Sequence, residues 1–93
     1  MDAKLKKKWV EALMSGKYRQ GKTLLYGSFT RRHCCLGVLW ECAGEPRDKI
    51  ADIGMRPIRE LGVLDFDERE ALADMNDSGI PFEVIAGFIQ ENL

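Results

Sequence analysis

The side chains best suited to chemistry are a single histidine and three cysteines, which lie close together as His33, Cys34, Cys35 and Cys42. Structural zinc sites usually supply their ligands in pairs such as Cys-x2-Cys, a spacing that this chain lacks. Cys35 and Cys42 would instead lie two turns apart on one face of a helix, where free cysteine packs as a small hydrophobic residue. Because adjacent residues of a helix point about 100° apart, His33 would not activate a neighbouring cysteine unless it lay at the end of a hairpin. We therefore predict structural cysteines, with no metal, no catalytic residue and no cofactor.

Positively charged side chains form a second candidate site. Residues 17–22 are too polar to be buried and predict an exposed loop, and two arginines follow at the end of a predicted hairpin. Arginine can bind phosphate or carboxylate oxygens with paired hydrogen bonds, and Tyr18 or Tyr26 could stack on a base. The alternative is that these are solubilising surface charges. The predicted ligand- or partner-binding residues of this region are Lys17, Tyr18, Arg19, Gln20, Lys22, Arg31 and Arg32.

A third candidate is the polar segment Asn76-Asp77-Ser78-Gly79. Its first three side chains could orient a ligand, so Asn76, Asp77 and Ser78 are also predicted binding residues. The same residue types form turns, and the segment predicts a turn between two helices whether or not it binds anything. The sequence leaves open whether this turn or the basic region is the binding site.

Charge is distributed unevenly along the chain. Residues 1–32 hold nine basic and two acidic groups, a net charge of +7, whereas residues 33–93 carry −8, so that the whole chain carries only −1. Such a separation of charge suits an anionic ligand or an acidic partner at the positively charged face. The alternative is that the two halves pack together and attract each other.

The composition is that of a single globular domain. With 93 residues, of which 45% are hydrophobic and 31% charged, the chain can bury one core but not two. No apolar run is long enough to span a bilayer, and the N-terminus lacks the pattern of a secretory signal, so no membrane partner is expected. Three closely spaced cysteines do not suit a secreted disulfide scaffold. These features predict a cytoplasmic protein.

The hydrophobic pattern predicts an α+β fold, in which a small β-hairpin packs against four or five short helices in a single domain over residues 1–93. The conformation of residues 45–56 is left open. Helices are predicted over residues 3–15, 34–43, 57–61 and 66–75 and from Pro81 onward, and the hairpin pairs residues 23–26 with 29–32 about a two-residue turn.

Local signals support these elements. Asp2 can cap the first helix, and Asp65 with Glu68 forms a capping box before the helix at 66–75. The nearly all-apolar segment 34–43 should be the central buried helix, and Gly37 within it indicates that another backbone crosses closely. The predicted core consists of Trp9, Leu13, Leu25, Cys35, Leu36, Leu39, Leu72, Met75, Phe82, Ile85, Phe88 and Ile89.

Four segments are distinctive when taken together: Trp-Val-Glu-Ala-Leu at 9–13, Ser-Gly-Lys-Tyr-Arg-Gln-Gly at 15–21, Cys-Cys-Leu-Gly-Val-Leu at 34–39 and Asn-Asp-Ser-Gly at 76–79, followed by Phe82, Ile85, Ala86 and Ile89. This pattern resembles small uncharacterised proteins of phages and prophages over nearly the whole chain, and its most specific part is the segment 34–39. The resemblance implies a phage setting and no particular chemistry. Small accessory proteins of phages often block a host enzyme or immune effector, or sequester a signalling nucleotide.

Three functional hypotheses follow. The first is a phage accessory protein that binds and inhibits a bacterial host or immune-defence protein, in the manner of an anti-defence or anti-CRISPR protein. The second is a sponge for an anionic signalling nucleotide. The third is a small enzyme or DNA-binding regulator, ranked last because the final helix carries no arginine or lysine to meet phosphates. We expect no sequence-specific nucleic-acid binding, and the oligomeric state is left open.

Overall fold

The chain folds into one antiparallel β-hairpin and five α-helices, which confirms the predicted α+β fold class. The computed structural model describes all 93 residues. In chain order the elements are α1 (Ala3–Met14), β1 (Tyr26–Gly27), β2 (Arg32–His33), α2 (Cys35–Cys42), a 3-10 turn (Arg47–Lys49), α3 (Arg56–Leu61), α4 (Phe66–Asp77) and α5 (Phe82–Asn92).

Helix α2 lies in the interior, as its apolar sequence predicts. Residues 35–40 are all buried, and α1, α3, α4 and β2 pack against this helix. A Cβ atom added to Gly37 would lie 1.9 Å from the carbonyl oxygen of Leu25. The segment that leads into the hairpin therefore crosses α2 at its glycine, which confirms the predicted close approach.

The helix ends follow the capping residues of the sequence. Asp2 accepts a hydrogen bond of 2.8 Å from the backbone N–H of Leu5. Asp65 and Glu68 each accept the backbone N–H of the other, at 2.8 and 2.9 Å, so the predicted capping box is confirmed. Helix α3 begins one residue earlier than predicted, at Arg56, and α4 continues past the predicted end to Asp77.

The hairpin is shorter than predicted, and its register differs. Tyr26 pairs with His33 and Gly27 with Arg32, so the turn contains residues 28–31 and not only Gly27-Ser28. A hydrogen bond of 2.7 Å from the N–H of Arg31 to the carbonyl oxygen of Gly27 closes this longer turn. The predicted strand residues Phe29 and Thr30 are therefore exposed turn residues.

Two further segments flank the hairpin and widen it. Gln20 lies parallel to β2, where the N–H of His33 donates to the carbonyl oxygen of Arg19 at 2.8 Å. Ala51 lies parallel to β1, where the N–H of Asp52 donates to the carbonyl oxygen of Tyr26 at 2.7 Å. The segment 45–56, which the sequence left open, thus supports one side of the hairpin. An isolated two-stranded hairpin would be marginally stable.

The buried hydrophobic residues form one continuous core. Among the predicted core residues, Met75 and Phe88 are only partly buried against this core, and the others are buried. The core also includes residues that the sequence analysis did not assign to it, namely Tyr26, Cys34, Val38, Trp40, Ile50, Ile58, Leu64 and Ala86.

None of the helices combines the length and apolar character that a membrane crossing requires.

Candidate functional site

The predicted basic loop and the Asn76 segment meet in the folded protein, although 56 positions separate Gln20 from Asn76. The Gln20 Nε2 atom donates to Asn76 Oδ1 at 3.2 Å and to the carbonyl oxygen of Ile80 at 2.7 Å. Its Oε1 atom accepts the backbone N–H of Phe82 at 3.0 Å. Both polar ends of Gln20 are used within the protein, so this side chain fastens the loop to the start of α5.

Asn76 lies in the last turn of α4 and is fully buried, not at the surface of a turn as the sequence suggested. Its Oδ1 atom also accepts the backbone N–H of Cys35 at 3.0 Å, and its Nδ2 atom donates to the carbonyl oxygen of Gly21 at 2.7 Å. Buried polar groups need such partners, because leaving them unpaired costs about 1–3 kcal/mol each. The prediction that Asn76 orients a ligand at the surface is corrected: this side chain joins α2, α4 and the basic loop.

The other two predicted residues of this segment are exposed. Asp77 also belongs to α4, and its Oδ1 atom accepts the backbone N–H of Thr23 at 2.8 Å. Ser78 caps the C-terminal end of the helix. Asp77 therefore helps to fix the basic loop, and only Ser78 is exposed without a hydrogen bond from its side chain to another segment.

We refer to the exposed side chains of Lys17, Arg19, Lys22, Arg31 and Arg32 as the basic surface. They lie on adjacent segments, because Arg19–Gly21 pairs with β2 through His33. The Arg32 Nη1 atom donates to the carbonyl oxygen of Gln20 at 3.2 Å, which ties the two segments together a second time. Five of the predicted binding residues thus lie on the basic loop or at the hairpin end that pairs with it.

None of the nine basic groups in residues 1–32 takes part in a salt bridge. The three salt bridges of the protein are His33–Glu41, Arg47–Glu41 and Arg56–Glu60, all within residues 33–93. The alternative that the two oppositely charged halves neutralise each other is therefore not realised by contact ion pairs. The five cations of the basic surface are exposed and have no carboxylate partner.

Tyr18 lies in an open cleft of about 560 Å³ between α1, the basic loop and the C-terminal end of α2. This volume lies within the range typical of small-molecule sites, about 300–1,000 Å³. The lining mixes two lysines with two carboxylates and a thiol: Lys8, Lys17, Glu11, Glu41 and Cys42. The cleft could hold a small polar ligand, but the Glu11 carboxylate, which has no salt-bridge partner, would repel a phosphate.

Beside the cleft, His33 and Glu41 form a cluster that the sequence analysis did not identify. The Glu41 carboxylate accepts two hydrogen bonds of 2.9 Å from Arg47 and contacts His33 Nε2. The His33 ring lies between two tyrosines, 5.0 Å from the centre of Tyr18 and 4.6 Å from that of Tyr26. His33 does lie at the end of the hairpin, but its partner there is Glu41 and not a cysteine. The sequence contains one indication of this cluster, because Glu41 is the only charged residue within the apolar segment 34–43.

The environment of this cluster shifts both pKa values downward. Burial lowers the pKa of His33 below 6.5, and the hydrogen bond with Glu41 does not compensate for it. Burial alone would raise the pKa of Glu41, but hydrogen bonds from Arg47 and His33 outweigh it and lower the pKa. The favoured state near neutral pH is a neutral imidazole beside a carboxylate that Arg47 already neutralises.

Two of the three cysteines are buried, and the third lies in the cleft. Cys34 and Cys35 are buried, and burial raises the pKa of Cys34 to about 11 and that of Cys35 further above its usual value. Burial also raises the pKa of Cys42, which lines the cleft. Thiols with raised pKa values are weak nucleophiles and weak metal ligands at neutral pH, because the thiolate is the reactive form. No group of three or more histidine, cysteine, aspartate or glutamate side chains is arranged to hold a metal ion.

Comparison with known proteins assigns the chain to a family but to no activity. No curated protein and no solved structure matches it. Residues 1–49 match the family model described as a domain of unknown function, DUF8296. The matched part is more than half of the chain and contains α1, the basic loop, the hairpin and α2. On that basis the protein belongs to the DUF8296 family.

Proposed function

We propose that this protein is a phage- or prophage-encoded accessory protein that acts by binding, and that its basic surface contacts an acidic surface of a bacterial host or immune-defence protein. The observation that carries the proposal is that none of the nine basic groups in residues 1–32 forms a salt bridge within the chain. Unpaired exposed cations generate a positive potential that attracts an acidic partner and accelerates association.

The way in which the basic loop is held supports this proposal. Backbone hydrogen bonds and the neutral side chains of Gln20 and Asn76 fix the loop, so that its cations contribute little to folding. Exposed charges of this kind usually change stability by less than about 0.5 kcal/mol when they are replaced. Their accumulation in a loop that the fold holds by other means is expected of a binding surface.

A nucleotide sponge is the second candidate, and the cleft beside Tyr18 is the feature that favours it. Lys8 and Lys17 could meet a phosphate there while the tyrosine ring stacks on a base. Glu11 in the same lining opposes an anion, and Glu41 is occupied by Arg47 and His33. For this reason the cleft ranks behind the basic surface, where no carboxylate is paired with the cations.

The decisive experiment reverses charge on the basic surface and compares it with the same change elsewhere. Arg19→Glu combined with Arg31→Glu should reduce the amount of partner protein retained from a bacterial lysate by at least about tenfold, because complementary charge alone can change association that strongly. The control is Lys49→Glu combined with Arg59→Glu, which changes the net charge equally at exposed positions that lie outside the basic surface and form no salt bridge. Both variants should melt at nearly the temperature of the wild type.

The same captured material distinguishes the two candidates. Proteomics should find a protein that is lost from the Arg19→Glu/Arg31→Glu variant and kept by the control, and mass spectrometry of small molecules should find no nucleotide in proportion to the bound chain. A nucleotide present at one per chain would favour the sponge. Equal capture by all three proteins would contradict a role for the basic surface.

A further inference from the structure

Phe29 is the most exposed large hydrophobic residue of the protein, with 97% of its surface accessible to solvent. It lies in the turn between β1 and β2, between Ser28 and Thr30, and no other apolar side chain of the turn shields it. A single exposed aromatic residue needs no explanation by itself. The backbone around Phe29 supplies further observations.

The turn that presents Phe29 is fixed from outside the hairpin. The Asp52 carboxylate accepts the backbone N–H of Ser28 at 2.9 Å and its hydroxyl at 2.5 Å. The carbonyl oxygen of Gly27 accepts the N–H of Arg31 at 2.7 Å. Hydrogen bonds of Ser28 and Arg31 therefore fix the backbone on both sides of Phe29.

Backbone strain is concentrated in the same region. The non-glycine residues with positive φ are Thr23, Arg31 and Asp52, at 73°, 58° and 60°. Thr23 precedes β1, Arg31 lies in the turn, and Asp52 is the residue that holds the turn. Such conformations cost about 1 kcal/mol or more each, persist only where the surroundings enforce them, and occur often at binding sites.

The chemistry of the tip matches that of interface anchors. Aromatic side chains and arginine are enriched at the centres of protein interfaces, and the exposed Arg31 and Arg32 lie two and three positions after Phe29. A side chain that is presented on a rigid turn loses little further freedom on binding, which favours affinity. Neither arginine has a carboxylate partner within the chain.

We propose that Phe29 is the apolar anchor of the basic surface and inserts into an apolar pocket that is rimmed by carboxylates on a partner protein. This inference rests on the proposed function and adds the chemistry of the partner's site. Arg31 and Arg32 meet the carboxylates of the rim, while the phenylalanine ring fills the pocket.

A lipid bilayer is the competing occupant for an exposed aromatic residue beside cations. The hairpin offers one apolar side chain to a membrane, because its neighbours Ser28 and Thr30 are polar. Stable membrane attachment needs more buried apolar surface than that, since even a whole myristoyl chain binds only marginally. One aromatic residue within a shaped pocket, in contrast, is enough to dominate a protein interface.

Photo-crosslinking tests the position directly. Phe29 is replaced by p-benzoylphenylalanine and the protein is irradiated in bacterial lysate, with Phe66 replaced in the same way as the control. Phe66 is also exposed, at 63%, but lies at the start of α4 with the Arg69 guanidinium 5.9 Å from its ring centre. We expect one protein to crosslink through position 29 and not through position 66, at a peptide that contains acidic residues. The crosslink should disappear in the Arg19→Glu/Arg31→Glu background.

Substitution then measures the role of the ring. Phe29→Ala should weaken retention of that same protein by at least about tenfold, as for other aromatic anchors, while Phe66→Ala leaves it unchanged. Phe29→Trp should retain most of the binding. The melting temperature of Phe29→Ala should equal that of the wild type, because almost none of the side chain is buried.

The outcomes separate this inference from the proposed function. If a captured protein depends on Arg19 and Arg31 but not on Phe29, the anchor assignment is wrong and the basic surface keeps its role. If no captured protein depends on the arginines, both proposals fail. If the wild type binds vesicles of phosphatidylcholine and phosphatidylserine, Phe29→Ala abolishes that binding, and no protein crosslinks, the partner is a membrane and the inference is overturned.

Discussion

Replacing Gly37 with alanine should destabilise the protein, although alanine is the better helix former. Alanine in a helix interior normally gains about 1 kcal/mol over glycine. At Gly37 the new methyl group would lie 1.9 Å from the backbone carbonyl oxygen of Leu25, far inside any contact distance observed for a real Cβ. A carbonyl oxygen cannot rotate away as the end of a side chain can, so the backbone must separate by about 1 Å.

The size of the effect follows from what this separation disturbs. Overpacking in a core costs about 1–3 kcal/mol, and the upper end applies where backbone must move. The Leu25 carbonyl oxygen also accepts the N–H of Cys34 at 3.2 Å, and the Leu25 N–H donates to the carbonyl oxygen of Ile53 at 3.1 Å. Losing one such hydrogen bond costs about a further 1 kcal/mol. After the gain in helix propensity, we expect a net loss of about 3 kcal/mol.

The assay is thermal and urea unfolding followed by circular dichroism, with Gly87→Ala as the matched control. Gly87 lies within α5, is exposed, and has no atom within 4 Å of an added Cβ, so alanine there should stabilise the protein by about 0.5–1 kcal/mol. For a domain of this size, Gly37→Ala should melt roughly 10–25 °C lower than the wild type and Gly87→Ala roughly 2–8 °C higher. If both substitutions raised the melting temperature, the crossing of Leu25 over α2 would be wrong.

Two further predictions concern the polar interior. Burial lowers the pKa of His33, so below about pH 6.5 the unfolded chain binds a proton that the folded protein does not bind. The free energy of unfolding should therefore decrease as the pH is lowered from about 7.5 to 5.5. It should decrease further at lower pH, where the unfolded chain also protonates Glu41. Melting temperatures over this range test it, and a flat or rising profile, or one that His33→Gln does not flatten, would contradict it. Asn76→Ala should cost about 2–4 kcal/mol in urea unfolding, because the N–H of Cys35 and the carbonyl oxygen of Gly21 lose their buried partner; a loss under about 0.5 kcal/mol would refute this role.

The parts of the fold that the sequence predicted well depend on signals within a few residues. The capping box of Asp65 and Glu68 and the cap at Asp2 involve partners three positions apart, so the residue types alone identify them. Gly37 was informative for a related reason. A glycine within an apolar helix lowers the helix propensity, which indicated that a close contact requires it, although the sequence did not show that the contact is with Leu25.

The parts that could not be predicted depend on partners far along the chain. Asn76 has the residue type of a turn former, and only its hydrogen bonds to Gly21 and Cys35, at separations of 55 and 41 positions, make it a buried linker. The predicted hairpin register was wrong because the strands are joined by a four-residue turn, and that turn is held by hydrogen bonds from Ser28 to Asp52, which lies 24 positions further along the chain. Interactions of this range are a property of the whole fold.

Within the candidate site, the sequence could not separate the polar side chains that hold the fold from those that are exposed. The side-chain amide of Gln20 forms hydrogen bonds with Asn76, Ile80 and Phe82. Its neighbour Arg19 contacts β2 through its backbone carbonyl oxygen, and its side chain is exposed. One short loop therefore contains a polar side chain that stabilises the fold and another that is exposed, and the sequence alone does not tell these two polar residues apart. Within this loop, the amide that stabilises the fold and the cations that we propose to bind a partner are different side chains, so substitutions can test the two roles separately.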